Sequence, residues 1–290
     1  MRVKKSKLSI KRLALVVGIL FVVNAAGFGA FWYIKQIEIN EIQANAQQVV
    51  NAANERIAYI EAKKKEPVYI TLPGAKTIQA IVDDYNDPTS VWILVNKTRP
   101  IPTEYTPPNL VVPNVPTRTD KGVDERSVRA VIAKPLEEMF AAAKQSGHSL
   151  MIGSAYRPAS LQQFYFNSYA SSWGVAMAER YSAHPGHSEH QLGLAVDIST
   201  ESRECYLSTC FINTPDGQWL ASNAHRYGFT LRYAEGKESI TGYSYEPWHY
   251  RYVGVELATA LYESGLSLEE AWPHIEQALE TLKENKAIQP

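Results

Sequence analysis

The stretch Ser-Glu-His-Gln-Leu-Gly-Leu-Ala-Val-Asp-Ile-Ser at 188–199 decides how this chain is read. Its second half alternates as a strand does, with Leu194, Val196 and Ile198 on one face and Ala195 and Asp197 on the other. Asp197 therefore points away from the apolar set. His190 stands just before the strand, separated from it by Gly193, and a second polar cluster, Glu-Pro-Trp-His, follows at 246–249. Two imidazoles and two carboxylates at tight spacing suit a catalytic zinc site. Such a site takes three protein ligands from His, Asp or Glu, keeps a fourth position for water, and needs a nearby carboxylate to move a proton. His190, Asp197 and His249 are the candidate ligands and Glu246 the candidate base. Taken singly, each has a structural explanation, as a loop brace, a turn residue or a satisfied core histidine; the combination is what points to chemistry.

Around these clusters the chain is globular in composition, with 290 residues, 45% of them hydrophobic and 20% charged. The formal charge of −1 conceals an asymmetry. Residues 1–35 hold seven of the 29 Lys and Arg and no acid, which leaves 22 bases against 30 acids in the remainder. An acidic body offers no surface for phosphate, so nucleic acid is excluded as a partner. The basic cluster has another use: it flanks residues 13–34, a run without a charge. About 20 apolar residues span a bilayer, and flanking Lys and Arg stay on the cytoplasmic side. The expectation is a membrane anchor with the body outside; a cleaved signal peptide is the alternative, and it exports the body too. The two cysteines, Cys205 and Cys210, are then expected to form a small local disulfide.

The remaining chain divides into a helical stalk and linker at 36–84 and a catalytic domain at 85–290. Residues 36–66 read as a helix stopped by Pro67, and 91–95 as a short apolar run of strand type. Six prolines between 99 and 119 exclude regular structure there and predict an extended arm around the domain. Helices are expected over 124–147, 160–178, 219–227, 254–264 and 268–284, and strands over 150–155, 193–199, 229–232 and 249–252. Strands and helices mixed without strict alternation predict an α+β fold with a mainly antiparallel sheet and flanking helices. Arg157, at the end of the buried-looking strand in Ser-Ala-Tyr-Arg-Pro, is a permanent charge that calls for a carboxylate or an oxyanion.

These residues carry a family resemblance. Tyr-Arg within 154–158, Gln162 after it, Ser-x-His-x-x-Gly-x-Ala-x-Asp at 188–197 and Glu-Pro-Trp-His-Tyr-Arg-Tyr at 246–252 resemble the VanY-type D-alanyl-D-alanine carboxypeptidases, over about 91–260. The resemblance implies a zinc peptidase that trims the C-terminal residue from peptidoglycan stem peptides, on the fold shared with the hedgehog signalling domain. It implies zinc on His190, Asp197 and His249, Glu246 as the base, and Arg157 as a catalytic or substrate-binding charge. It further implies substrate contacts at Gln162 and Ser188, with Trp248 lining the pocket or orienting Glu246. An L,D-carboxypeptidase acting on tetrapeptide stems and a non-catalytic wall-binding module of the same fold are the alternatives.

Overall fold

The computed structural model describes residues 32, 35–54, 67–80 and 85–288. The chain divides into two compact units, 1–64 and 65–290. In the first, residues 35–54 are helical and exposed. The anticipated membrane span at 13–34 lies outside the described residues apart from Trp32, as does the end of the stalk at 55–66. Among the described residues no helix is long and apolar enough to cross a membrane.

The second unit begins earlier than the expected boundary at 85. Strands β1 (Val68–Ile70) and β2 (Ile78–Ala80) form an antiparallel pair, and Val68, Ile70 and Leu72 are buried with Leu257, Leu261, Trp272 and Ile275. Each such side chain contributes about 1.5–3 kcal/mol on burial, so 68–80 is part of the body and not a linker. The apolar run at 91–95 is buried but forms no strand. Its carbonyls are taken instead by a guanidinium: Arg251 Nη2 donates to Val91 O at 3.1 Å and to Ile93 O at 2.8 Å.

The proline arm is extended and closes the sheet edge. Ile152 N donates to Pro116 O at 2.9 Å, and Arg118 N to Ile152 O at 3.1 Å. Within it β3 (Leu110–Val111) pairs with β4 (Val128–Arg129). The helix expected from 124 starts only at 130, as α1 (Ala130–Gln145), after a single 3-10 turn at Asp124–Arg126. The reason is competition for backbone groups. Glu125 O and Ser127 O accept from Ala155 N and Tyr156 N, and Arg129 N donates to Gly193 O, which ties this segment to the residues around the candidate site.

Strand β5 (Leu150–Ser154) leads into α2 (Ala159–Trp173) and α3 (Val175–Tyr181). These replace one expected helix, because Gly174 sits at φ 83°, a conformation only glycine adopts freely. β6 (Ala195–Thr200) follows, then α4 (Pro215–Asn223). That helix starts before the expected 219 because Thr214 Oγ1 accepts from Gly217 N and Pro215 opens the first turn. β7 (Phe229–Leu231), α5 (Glu238–Thr241), β8 (His249–Tyr252), α6 (Val255–Ser264) and α7 (Leu268–Ile288) complete the chain. The main sheet has the order β5-β6-β8-β7 with antiparallel neighbours throughout, as the mixed pattern predicts. Leu194, Val196 and Ile198 enter the main core, and Asp197 takes the other face.

Candidate active site

Strand pairing brings the two polar clusters together. Asp197 on β6 stands opposite His249 on β8, and Ser154 opposite Asp197 on the other side, after a register shift between Ile152 and Ser154. Directly opposed residues of an antiparallel pair share a face. His190 arrives from the preceding 3-10 turn, Glu189–Leu192, which Gly193 ends in the left-handed region at φ 65°. A Cβ there would also crowd Arg129 Cγ at 3.0 Å, so both the backbone angle and the space favour glycine.

His190, Asp197 and His249 are all buried and offer three ligand atoms within 4.8 Å of one another. His190 Nδ1 lies 2.6 Å from Ala155 O. It can only donate there, which leaves the lone pair on Nε2, 3.3 Å from Asp197 Oδ2. The His249 ring crosses that of His190 at 88°, with its Nδ1 3.2 Å from Asp197 Oδ1. His190 Nε2 and Asp197 Oδ1 are buried without a hydrogen-bond partner. Two imidazoles and a carboxylate, converging with unsatisfied lone pairs, fit a divalent cation of zinc's preferences.

The two histidines titrate in opposite directions. Burial pulls His190 down to about 4, with the Arg157 charge adding to it, so the ring is neutral and ready to ligate. Burial also opposes the charge on His249, but the adjacent carboxylates of Asp197 and Glu189 outweigh it and raise it to about 9. Asp197 is held well below the carboxylate range, because an imidazolium beside it outweighs its burial, and with His190 neutral that charge is on His249.

Glu246 is 7% exposed and occupies the same turn as His249, whose N–H donates to Glu246 O at 3.0 Å. Its carboxyl stands 3.6 Å from His249 Nδ1. Burial, with Asp197 adding to it and His249 and Arg157 opposing, raises it to about 8. A carboxyl near neutrality is matched to proton transfer at physiological pH. Arg157 Nη2 lies 3.9 Å from Asp197 Oδ2, and its guanidinium stacks over Tyr165 at 5.7 Å.

A cleft of 710 Å3 opens over this floor, and Arg157, Asp197, Glu246 and Trp248 all line it. Its other wall consists of Tyr165, Tyr169 and Trp173 from α2 and of Tyr206 to Thr209 from a loop closed by the Cys205–Cys210 disulfide. Gln162 and Ser188, the expected substrate contacts, lie beside the cleft-lining residues and are not among them. The Gln162 amide nitrogen donates to Ala183 O at 2.7 Å and Ser182 Oγ at 3.1 Å while its Oε1 is buried without a partner, and Ser188 is buried as it leads into the 3-10 turn.

The sequence reading missed the brace beneath the metal ligands. Glu189 Oε1 accepts from Arg232 Nε at 2.8 Å and Arg251 Nη1 at 2.7 Å, while its Oε2 faces His249 Nε2 at 3.5 Å. The two guanidinium charges outweigh burial and keep Glu189 ionised, far below its usual range. Arg232 continues with a bidentate pair to Glu269 on α7. An ionised carboxylate behind a ligating imidazole fixes the ring and makes it a better ligand. Both Glu189 and Arg251 lie inside the motifs quoted above; their only signal was position beside a ligand.

Residues 125–255 match the profile of the family described as VanY, D-alanyl-D-alanine carboxypeptidase. A D-alanyl-D-alanine carboxypeptidase of Enterococcus faecalis (strain ATCC 700802 / V583) is 35% identical over 74% of this chain and 81% of its own length. Among solved structures, the LdcB LD-carboxypeptidase is 41% identical, with a TM-score of 0.61, over 64% of this chain and 87% of that one. A vancomycin-resistance D,D-pentapeptidase, VanY, solved in complex with Zn(II), is 35% identical, with a TM-score of 0.53, over 64% of this chain and 99% of that one. Metal-binding geometry, a buried proton carrier and these relatives agree: the chain belongs to the VanY family of D-alanyl-D-alanine carboxypeptidases.

Proposed function

We propose that this protein is a zinc-dependent D-alanyl-D-alanine carboxypeptidase that removes the C-terminal D-alanine from peptidoglycan stem peptides. The observation that carries the reading is the convergence of His190, Asp197 and His249, with Glu246 3.6 Å from His249, where Asp197 and Glu246 line one open cleft. His190 Nε2, an Asp197 carboxylate oxygen and His249 Nδ1 would hold the zinc. When bound, the metal supplies Lewis-acid polarisation of the scissile carbonyl and acidifies a water. Glu246 takes the proton of the attacking water and returns it to the leaving amine, so that the same carboxyl serves as base and then acid. Arg157 offsets the negative charge that grows on the substrate, or holds its free carboxylate. Trp248 stands beside Glu246 in sequence and forms part of the pocket wall. A non-catalytic wall-binding module would have no use for a buried Glu246 with Arg157 beside it in the cleft.

The test is release of D-alanine from a defined stem pentapeptide, read by mass. Glu246→Gln is expected to keep the fold and the zinc and to lose about 10²–10⁴-fold in kcat; unchanged release would refute the assignment. The likeness to the LdcB LD-carboxypeptidase supports a second reading, cleavage of the tetrapeptide stem. Pentapeptide and tetrapeptide substrates incubated in parallel separate the two.

The uncharged run at 13–34 behind its basic flank supports single-pass anchoring with the catalytic body outside the cell membrane. Fractionation of the full chain, with protease access to intact cells, tests the orientation. A body found inside would refute it, and release of a shortened chain would favour signal cleavage.

A further inference from the structure

Lys121 and Glu125 line the same cleft as Arg157, and the hydrolytic chemistry uses neither. The Lys121 ammonium donates to Glu125 Oε1 at 2.8 Å and to the Tyr165 hydroxyl, whose own O–H donates to the same carboxylate oxygen at 2.7 Å. Glu125 is the hidden member of the pair, with its side chain 8% exposed against 21% for Lys121. The pair therefore presents its cation to the cleft. Burial would discharge the amine, but the bonds to Glu125 and Tyr165 outweigh it and hold the group above its ordinary range. An ammonium has three donors, and two are committed, which leaves one for an occupant of the cleft.

Position limits what that occupant is. Lys121 Nζ lies 4.9 Å from the Tyr165 ring centroid, and the Arg157 guanidinium lies 5.7 Å from the same centroid. The two cations are thus separated by no more than about three residues of extended peptide, at about 3.3 Å per residue. A peptide whose reactive end meets Arg157 passes Lys121 with the residues before its scissile bond.

We propose that Lys121 is a specificity-determining residue that reads a carboxylate carried up to about three residues upstream of the scissile bond. The inference rests on the peptidase reading above. A stem peptide offers such a carboxylate in two places: the side chain of a diaminopimelate-type third residue, and the free α-carboxylate of a γ-linked glutamate at the second. A lysine third residue sets ammonium against ammonium, and an amidated second residue offers no charge.

The experiment compares kcat/KM of the zinc-loaded protein on matched pentapeptides that vary one position at a time, diaminopimelate against lysine and glutamate against its amide. A charge-assisted hydrogen bond is expected to favour a carboxylate-bearing peptide by about tenfold or more, mainly through KM. The pair of peptides that shows the ratio identifies the carboxylate. Lys121→Gln should collapse that ratio toward unity, and Lys121→Arg should preserve it, which loss of packing alone would not do. Equal kcat/KM within both pairs for the unaltered protein overturns the proposal, and this outcome does not depend on any variant folding. A ratio that survives Lys121→Gln overturns it as well. Failure of the zinc-loaded protein to cleave any of the peptides would instead overturn the peptidase reading, and this inference with it.

Discussion

The two walls of the cleft are built on opposite plans. The inner wall, β6 and β8 with the turn at 189–192, is buried apart from Tyr252 at its end, and its ligands rest on Glu189, which is fixed by two arginines that are themselves fully enclosed. The outer wall is α2 and the loop ending at Thr209. It is half-open, and Trp173 is 58% exposed. Its aromatic rings stack mainly on one another, Tyr169 against Trp173 at 5.1 Å and 7°. A metal site requires ligands oriented before the ion arrives, and that demands a rigid, charge-balanced support. A wall that admits a peptide needs shape and some freedom. Alterations to the inner wall should therefore affect stability and metal together, and alterations to the outer wall should affect substrate alone.

Removal of Glu189 is the strongest way to break that contrast. Glu189→Ala leaves Arg232 and Arg251 buried with one fewer counter-charge, a situation that costs about 3–5 kcal/mol when one partner of a buried pair is lost. His249 loses its support as well, so zinc affinity should fall about 10–100-fold. Chemical denaturation and competitive zinc titration of the same variant check both effects. Full stability with unchanged affinity would mean that the brace is incidental. Glu189→Gln, which retains the shape and one acceptor, should fall between the two.

The disulfide tests the outer wall. Cys205 and Cys210 close a short loop, and within it Cys205 and Leu207 hold positive φ angles of 51° and 46° without being glycine. Such conformations persist only where the surroundings enforce them. Loop-closure entropy for a ring this small gives about 2 kcal/mol. Replacing both cysteines by serine should lower stability by about that amount and raise KM through the displaced Tyr206 to Thr209 wall. Zinc affinity should stay unchanged; a parallel loss of zinc would erase the distinction between the walls.

The same contrast explains how much could be read without coordinates. Asp197 was legible because period-two alternation separates it from Leu194, Val196 and Ile198 within a few residues. His190, His249 and Glu246 were legible because each lies close in sequence to another polar group. Glu189 was not, although it neighbours His190, because its meaning comes from Arg232 and Arg251, 43 and 62 residues away. Long-range pairing also defeated the strand expected at 91–95, whose carbonyls serve Arg251, and the helix expected from 124, whose first residues bond to 155, 156 and 193. The outer wall was legible only as the helix expected over 160–178, because periodicity does not say which cavity a helix borders.

The smallest effect is also the sharpest probe of the inner wall's charge balance. Before a metal binds, Asp197 and Glu189 keep a proton on His249 up to about pH 9, whereas burial keeps His190 unprotonated down to about pH 4. A cation on these ligands must displace the His249 proton and needs none from His190. Between these values the apparent zinc affinity should therefore rise about tenfold for each unit of pH as protons become scarcer, flattening above about 9. Glu246, raised to about 8, would add a second proton where the bound cation pulls it down. Glu246→Gln removes that contribution, and the variant should release one proton per zinc. Calorimetry in buffers of different ionisation enthalpy counts the protons directly. A count of zero in Glu246→Gln would mean that Glu189 and Asp197 do not hold His249 charged, and the brace would then be mechanical and not electrostatic.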